Sequence, residues 1–304
     1  MHRIAEPQDG VGSGVCSPTA QTAGVLGTMC GGHVGSMRIA VLADIHGNMP
    51  ALEAVLAEVE DSGVDRIVLL GDIAGGPMPA QTLDRLAGLG DKAIWVHGNG
   101  ERELLAGLDG RVPAGPAGDT VAACVPLLDQ RHRDLMTALP MTVSLPVDGL
   151  GPTLFCHATP RRDDELILVD SPISRWERVL EGIDEQIVVC GHTHMPFDRL
   201  VNQRRVVNPG SVGMAYGPAG AYWAVLGPTV ELRRTTYDVH AAAERIIASG
   251  YPDAAGWASA YALRPYGDVA ALEAFTAIIA AEPDAVRSDT GLTDDRPAEL
   301  RGLG

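Results

Sequence analysis

The spacing of hydrophobic positions changes period several times along this chain. Residues 38–43 form a short apolar run that reads as a buried strand. The stretch MPALEAVLAEVEDSG (49–63) has apolar residues at Leu52, Val55, Leu56 and Val59, which share one helical face, and Ser62-Gly63 supplies a stop. RIVLL (66–70) reads as a second buried strand, 79–89 as a second helix and AIWV (93–96) as a third strand. This alternation predicts a parallel sheet with right-handed crossovers. Further on, a helix is expected over 119–138, strands near 141–147 and 152–156, a helix near 173–181 and a strand at 187–190. Short strands follow at 197–201, 205–207, 221–226 and 229–236, with turn signals at Asn202-Gln203 and Gly227-Pro228. A βαβ half thus meets a hairpin-rich half, which predicts an α/β fold of two packed β-sheets flanked by helices. Two more helices are expected at 238–249 and 268–281, with no internal repeat.

The chain ends read differently. Residues 1–36 are rich in Gly, Ser, Thr and Ala, follow neither period, and are expected to be a disordered tail. Their Gly10-Val-Gly12-Ser-Gly14 run lacks the preceding strand that a nucleotide-binding loop needs. Met37 directly precedes the first strand, so the folded chain is expected to start there, with residues 1–36 dispensable. The main domain is expected over 37–237, a helical extension packed on it over 238–284, and a polar tail over 285–304.

Composition narrows the function classes. Hydrophobic residues are 46% of the chain and aromatics only 4%, so the core is aliphatic. The formal net charge is −16 and Lys92 is the only lysine. Such a surface repels phosphate backbones and anionic lipid, which argues against nucleic acid and membranes as partners. No run approaches the ~18 apolar residues of a membrane span, and the first 36 residues lack the pattern of a signal peptide. Five scattered cysteines (Cys16, Cys30, Cys124, Cys156 and Cys190), with no CxxC, suit a reducing setting, so a cytoplasmic location is expected.

The chemistry gathers at strand ends. Five strand candidates end in metal-competent residues: Asp44 and His46, then Asp72, Asn99, His157, and finally His192 and His194. Ligands of open α/β sheets bind beyond the carboxyl ends of strands, where loops distant in sequence converge. Imidazoles with carboxylates suit Mn, Fe, Zn, Ni or Co better than Ca or Mg alone. Asp-x-His and His-x-His each place two side chains on one side if their backbone is extended. Taken singly, each has a plainer reading: Asp44 as a helix cap, Gly71-Asp72 and Gly98-Asn99 as turns, His157 as a core histidine. Their order along the chain carries the argument.

Asp44-Ile-His46-Gly-Asn48, Gly71-Asp72, Gly98-Asn99, His157 and Gly191-His192-Thr-His194 together resemble, in order, the motifs of the calcineurin-like metallophosphoesterases. The resemblance runs from about Arg38 to Tyr237 and points to the small prokaryotic phosphodiesterase branch, in a longer version with a C-terminal extension. It implies a β-sandwich flanked by helices and a two-metal site. Asp44, His46 and His194 would hold one ion, Asn99, His157 and His192 the other, and Asp72 would bridge them, with Asp72, Asn99 and His192 closest to the chemistry. Manganese is the first expectation, with Fe, Zn, Ni or Co also suited.

The resemblance further implies hydrolysis of phosphodiesters or phosphoanhydrides by metal-activated water, acting on a small phosphate ester, with self-association left open. The alternatives are a phosphomonoesterase or protein phosphatase, a dinucleoside polyphosphate hydrolase, and a non-catalytic scaffold of the same fold. All seven ligand positions are filled, which weighs against the scaffold. Gly100 stands where many family members carry a histidine that serves as general acid, which leaves leaving-group protonation open. His97 is a candidate substitute, and Arg161 and Arg162 are candidate phosphate contacts, guanidinium forks being suited to phosphate. The bland readings are a loop histidine and a surface pair facing Asp163, Asp164 and Glu165.

Overall fold

In the computed structural model, which describes residues 37–281, strand β1 (Ile39–Leu42) divides its side chains between two cores. Ala40 and Leu42 join a core built with helices, whereas Ile39 and Val41 join one built with a second sheet. A period-two strand buried on both faces must be apolar throughout, as this one is. β1 runs parallel to β2 (Arg66–Leu69), and β2 to β3 (Ala93–Trp95). Antiparallel β9 (Ala221–Leu226) and β10 (Val230–Thr235) complete a five-stranded sheet of order β10-β9-β1-β2-β3.

The second sheet has the order β4-β5-β6-β8-β7. It comprises β4 (Thr142–Val147), β5 (Gly151–Cys156), β6 (Ile187–Val189), β7 (Phe197–Val201) and β8 (Arg204–Asn208). Its centre, β5-β6-β8, is parallel and its edges are antiparallel. Val68 and Leu70 of the first sheet meet Phe155, Val189 and Val207 of the second in one aliphatic core. Helices α1 (Met49–Asp61) and α2 (Pro79–Ala87) cover the outer face of the first sheet, and α6 (Ile173–Val179) covers the second with Trp176. The expected pair of sheets with outer helices is what the chain forms.

Three elements depart from expectation. An unforeseen helix, α3 (Asn99–Leu108), starts directly at Asn99. The helix expected over 119–138 is two helices, α4 (Pro116–Cys124) and α5 (Gln130–Thr137). Pro126, which lacks an N–H, lies between them, and the Asp129 carboxylate restarts the chain by accepting from the N–H groups of Arg131 and His132. After α7 (Val239–Ala248) come a short α8 (Ala254–Ala258) and a π-helical turn at Ser259–Leu263, before α9 (Asp268–Ala281). Small residues (Ala243, Ala254, Ala258, Ala262) dock this C-terminal segment into the core beneath α1, and Ala271 and Ile279 of α9 pack with Leu166, Leu168 and Met195. The expectations for residues 1–36 and for 282–304 lie outside the described residues.

Candidate metal centre

The structure brings the seven strand-end residues together. Asp44, His46 and His194 form one cluster, with His46 Nε2 3.2 Å from His194 Nε2, and His194 Nε2 3.3 Å from Asp44 Oδ1. Asp72, His157 and His192 form a second, where Asn99 Oδ1 lies 3.1 Å from His157 Nε2. Asp72 faces both: Oδ1 is 3.4 Å from His157 Nε2 and Oδ2 is 3.7 Å from His46 Nε2. One carboxylate thus offers an oxygen to each cluster.

The backbone places them differently from the expected extended geometry. Asp44, His46, Asp72, His192 and His194 all have positive φ, between 48° and 66°. The pairs Asp44/His46 and His192/His194 therefore converge through left-handed turns, and the extended i, i+2 expectation is corrected. Non-glycine residues persist there only where the surroundings over-determine them. Here the loops hold one another: His46 N donates to Asp72 O (2.9 Å), Gly47 N to Ile73 O (2.8 Å), and Gly191 N to His157 O (2.6 Å). A Cβ on Gly98 would lie 2.5 Å from Asp72 N, and one on Gly191 2.7 Å from Asp44 Oδ2. Those two motif glycines let backbone and carboxylate approach where no other residue fits.

The imidazoles are oriented from behind. Nδ1–H of His46 donates to Gly75 O (3.1 Å), that of His157 to Leu70 O (2.6 Å) and that of His194 to Met214 O (2.9 Å). A carbonyl only accepts, so each Nδ1 bears the hydrogen and each Nε2 turns a lone pair inward. Lone pairs and carboxylates facing one another repel unless a proton or a cation lies among them. Imidazole, carboxylate and an amide oxygen are a donor set that fits divalent transition metals. Burial disfavours the charged form of His46, and it pushes His192 down to about 4, with His157 adding repulsion. Burial opposes charge on His157 and His194 too, yet Asp72 beside the first and Asp44 beside the second raise both above the ordinary imidazole value. Burial alone would raise Asp44 and Asp72; His194 for the first, and His157, His46 and His192 for the second, hold them below the ordinary carboxylate range.

Sequence reasoning missed Glu101. Fully buried on α3, its carboxylate accepts from Asp72 N (2.8 Å), Ile73 N (2.8 Å) and Gly98 N (3.0 Å), stapling the loop after β2 to the loop after β3. The only trace in the sequence is a Glu two residues after Asn99, in a stretch where no helix was expected. The Asn208-Pro-Gly-Ser211 turn braces the loops that carry the site. Asn208 Nδ2 donates to Gly191 O (2.7 Å) and Ser211 Oγ to Asp44 O (2.7 Å).

The other rim candidates have partners of their own, although His97 lies near enough to His157 and Asp72 for their charges to act on it. His97 lines a different cavity with Arg102 and Arg111, and its Nδ1 lies 3.5 Å from Asp163 Oδ2. Arg161 pairs with buried Glu165 and Arg162 with Asp164. Gly100 has no positive φ; its N–H donates to Asp72 Oδ1 (2.6 Å), and a Cβ there would sit 2.8 Å from that oxygen. Entry of a side chain is thus opposed by the carboxylate, not by backbone conformation.

A cavity of about 280 Å³ opens onto His46, Asp72 and Asn99. Its lining includes Tyr251, Trp257 and Tyr261 of the C-terminal segment, expected from the sequence as an extension packed on the domain.

Paired clusters of imidazole, carboxylate and amide oxygen near strand ends form a candidate metal site. Residues 37–228 match the calcineurin-like phosphoesterase superfamily domain, and the chain belongs to that family. It is 35% identical to phosphodiesterase YfcE of Escherichia coli K12 over 199 residues, 62% of this chain and 87% of that protein. It is 25% identical to the uncharacterized protein MJ0912 of Methanocaldococcus jannaschii, over 71% of this chain and 94% of that one. Among solved structures, the metallophosphoesterase of Sphaerobacter thermophilus superposes with a TM-score of 0.61 at 24% identity, covering 74% of this chain and 99% of that one. The hypothetical protein PH1004 of Pyrococcus horikoshii gives 0.65 at 22%, covering 74% and 98%. The chain is accordingly a hydrolase acting on phosphoesters. No helix among the described residues is long and apolar enough to cross a membrane.

Proposed function

We propose that this protein is a two-metal phosphodiesterase whose ions are held by Asp44, His46 and His194 on one side, by Asn99, His157 and His192 on the other, and by Asp72 between them. The observation that supports it is the pair of inward-facing acceptor clusters sharing one carboxylate. Divalent cations bound there supply Lewis-acid polarisation of a phosphoryl group and a nucleophilic water at neutral pH. The chain's own residues do the positioning. Asp72 is held by the Gly100 N–H, so its two oxygens stay divided between the clusters. The Asn99 side-chain N–H donates to Glu103 Oε1 (3.3 Å), which turns the amide oxygen inward. The back-bonded imidazoles present the lone pair that a metal needs, at no reorganisation cost. Manganese is the ion proposed first. Metal analysis of the purified protein, with hydrolysis of bis-p-nitrophenyl phosphate in added Mn²⁺, tests the reading. Two metals per chain and chelator-sensitive turnover are expected; a metal-free, inactive protein in saturating Mn²⁺ overturns it.

A further inference from the structure

The cavity at the seven residues has two unlike walls. One carries the candidate ligands. The other carries three aromatic rings from the C-terminal segment, in a chain with only four tryptophans and six tyrosines. These rings are fixed. Trp257 and Tyr261 pack at 5.1 Å between centroids with planes inclined at 57°, and Tyr251 Oη donates to Thr120 Oγ1 (3.4 Å) on α4. Ala254, Ala258 and Ala262, which alternate with them in sequence, are buried in the core and anchor the segment. Tyr261 lies in the π-helical turn at Ser259–Leu263, a kind of turn frequent at functional sites.

Charge narrows the occupant. Among the described residues, those lining this cavity include no lysine or arginine, and they include the carboxylates of Asp72 and Glu103. A second phosphate would find no cation there, which argues against a polyphosphate chain. A neutral group attached to a single phosphoryl at the candidate ligands needs no cation and finds Leu104, Val121, Met214 and the three rings in the lining. The volume, about 280 Å³, lies at the small end of ligand pockets (roughly 300–1,000 Å³) and suits one ring system.

We propose that Tyr251, Trp257 and Tyr261 form a recognition wall for a planar ring carried by a phosphodiester substrate, a nucleobase or an aryl group. The C-terminal segment thereby selects the substrate. This rests on the phosphodiesterase reading above. Stacking of a base on an aromatic side chain is worth about 1–3 kcal/mol by alanine substitution, roughly 5- to 150-fold in affinity.

The test holds the leaving group constant. The manganese-loaded protein is assayed with thymidine 5′-(p-nitrophenyl) phosphate, phenyl p-nitrophenyl phosphate and methyl p-nitrophenyl phosphate. The expected result is a kcat/KM at least about fivefold higher for a ring-bearing ester than for the methyl ester, with that ratio falling toward one in Trp257→Ala and retained in Trp257→Phe. The two ring-bearing arms separate nucleobase from aryl preference. A wild-type ratio near one, or a ratio unchanged in both Trp257→Ala and Tyr261→Ala, overturns the proposal. A second readout is independent of turnover: calorimetric titration with thymidine 5′-monophosphate and with methyl phosphate, expected to favour the former in the wild type and to lose that preference in Trp257→Ala. If none of the three esters is hydrolysed, the function reading fails, while equal binding of the two monoesters sinks the wall by itself.

Discussion

Asp72 is the side chain on which both clusters depend, because its two oxygens face different imidazoles. In the proposed two-metal site, removing its charge would leave two cations with no anion between them, so Asp72→Asn is expected to lower metal content and activity further than His46→Ala does. Metal analysis of both variants checks this, and a variant at position 72 with two metals and intact turnover would refute it. Glu101 acts one step back. Its carboxylate satisfies three buried N–H groups, and Gln would turn an N–H donor toward them. Glu101→Gln is therefore expected to cost about 1–3 kcal/mol in urea unfolding and to weaken metal retention at the Asp72 and Asn99 loops. Unfolding at the wild-type midpoint would show that the staple is dispensable. All seven candidate ligands were legible in the sequence because they follow strand-like apolar runs in an order that resembles the family's motifs. Their left-handed backbone was not, since it is set by hydrogen bonds between loops far apart in the chain. Glu101 was hidden for the same reason: its partners lie 28 and 29 residues away.

At the scale of elements, the central strands β1, β2 and β6 read well because burial on both faces leaves an unbroken apolar signature. Helix α3 did not, since its buried face is Glu101, Leu104 and Gly107, and a charge and a glycine erase the periodicity. The α8 segment escaped notice because alanines at a close interface carry little hydrophobic signal. Helix α7 offers a direct test of packing. Ile246 is fully buried in the core shared with α1, whereas its neighbour Ile247 is 51% exposed. Ile246→Ala is expected to cost about 2–5 kcal/mol, and Ile247→Ala no more than about 0.5 kcal/mol, by chemical denaturation. Equal effects at the two positions would mean that α7 does not dock as described.

For the whole molecule, the site sets how stability follows pH, and metal reverses part of the trend. In the metal-free protein His157 and His194 bind protons more tightly than in the unfolded chain, because the charges of buried Asp72 and Asp44 beside them outweigh the burial that opposes protonation. A raised imidazole contributes its full stability below the unfolded value of about 6.5 and loses it as pH rises through the folded value. His46 and His192 are shifted the other way, His192 to about 4, with burial the leading cause for both. Their contribution is complete above about 6.5 and is lost as pH falls toward the folded values. Both pairs therefore place the stability maximum of the chelated protein near pH 6.5. In the metal-loaded protein the cations take the place of the protons on His157 and His194. Ligands must be deprotonated to bind, so loading releases protons and strengthens with pH. The melting temperature of loaded protein should then keep rising or level off between pH 6.5 and 8, while that of the chelated protein falls over the same interval. Parallel melting curves with and without chelator across that interval decide it. A chelated protein whose melting temperature climbs with pH in step with the loaded one would mean that protons do not stand in for metal at this site.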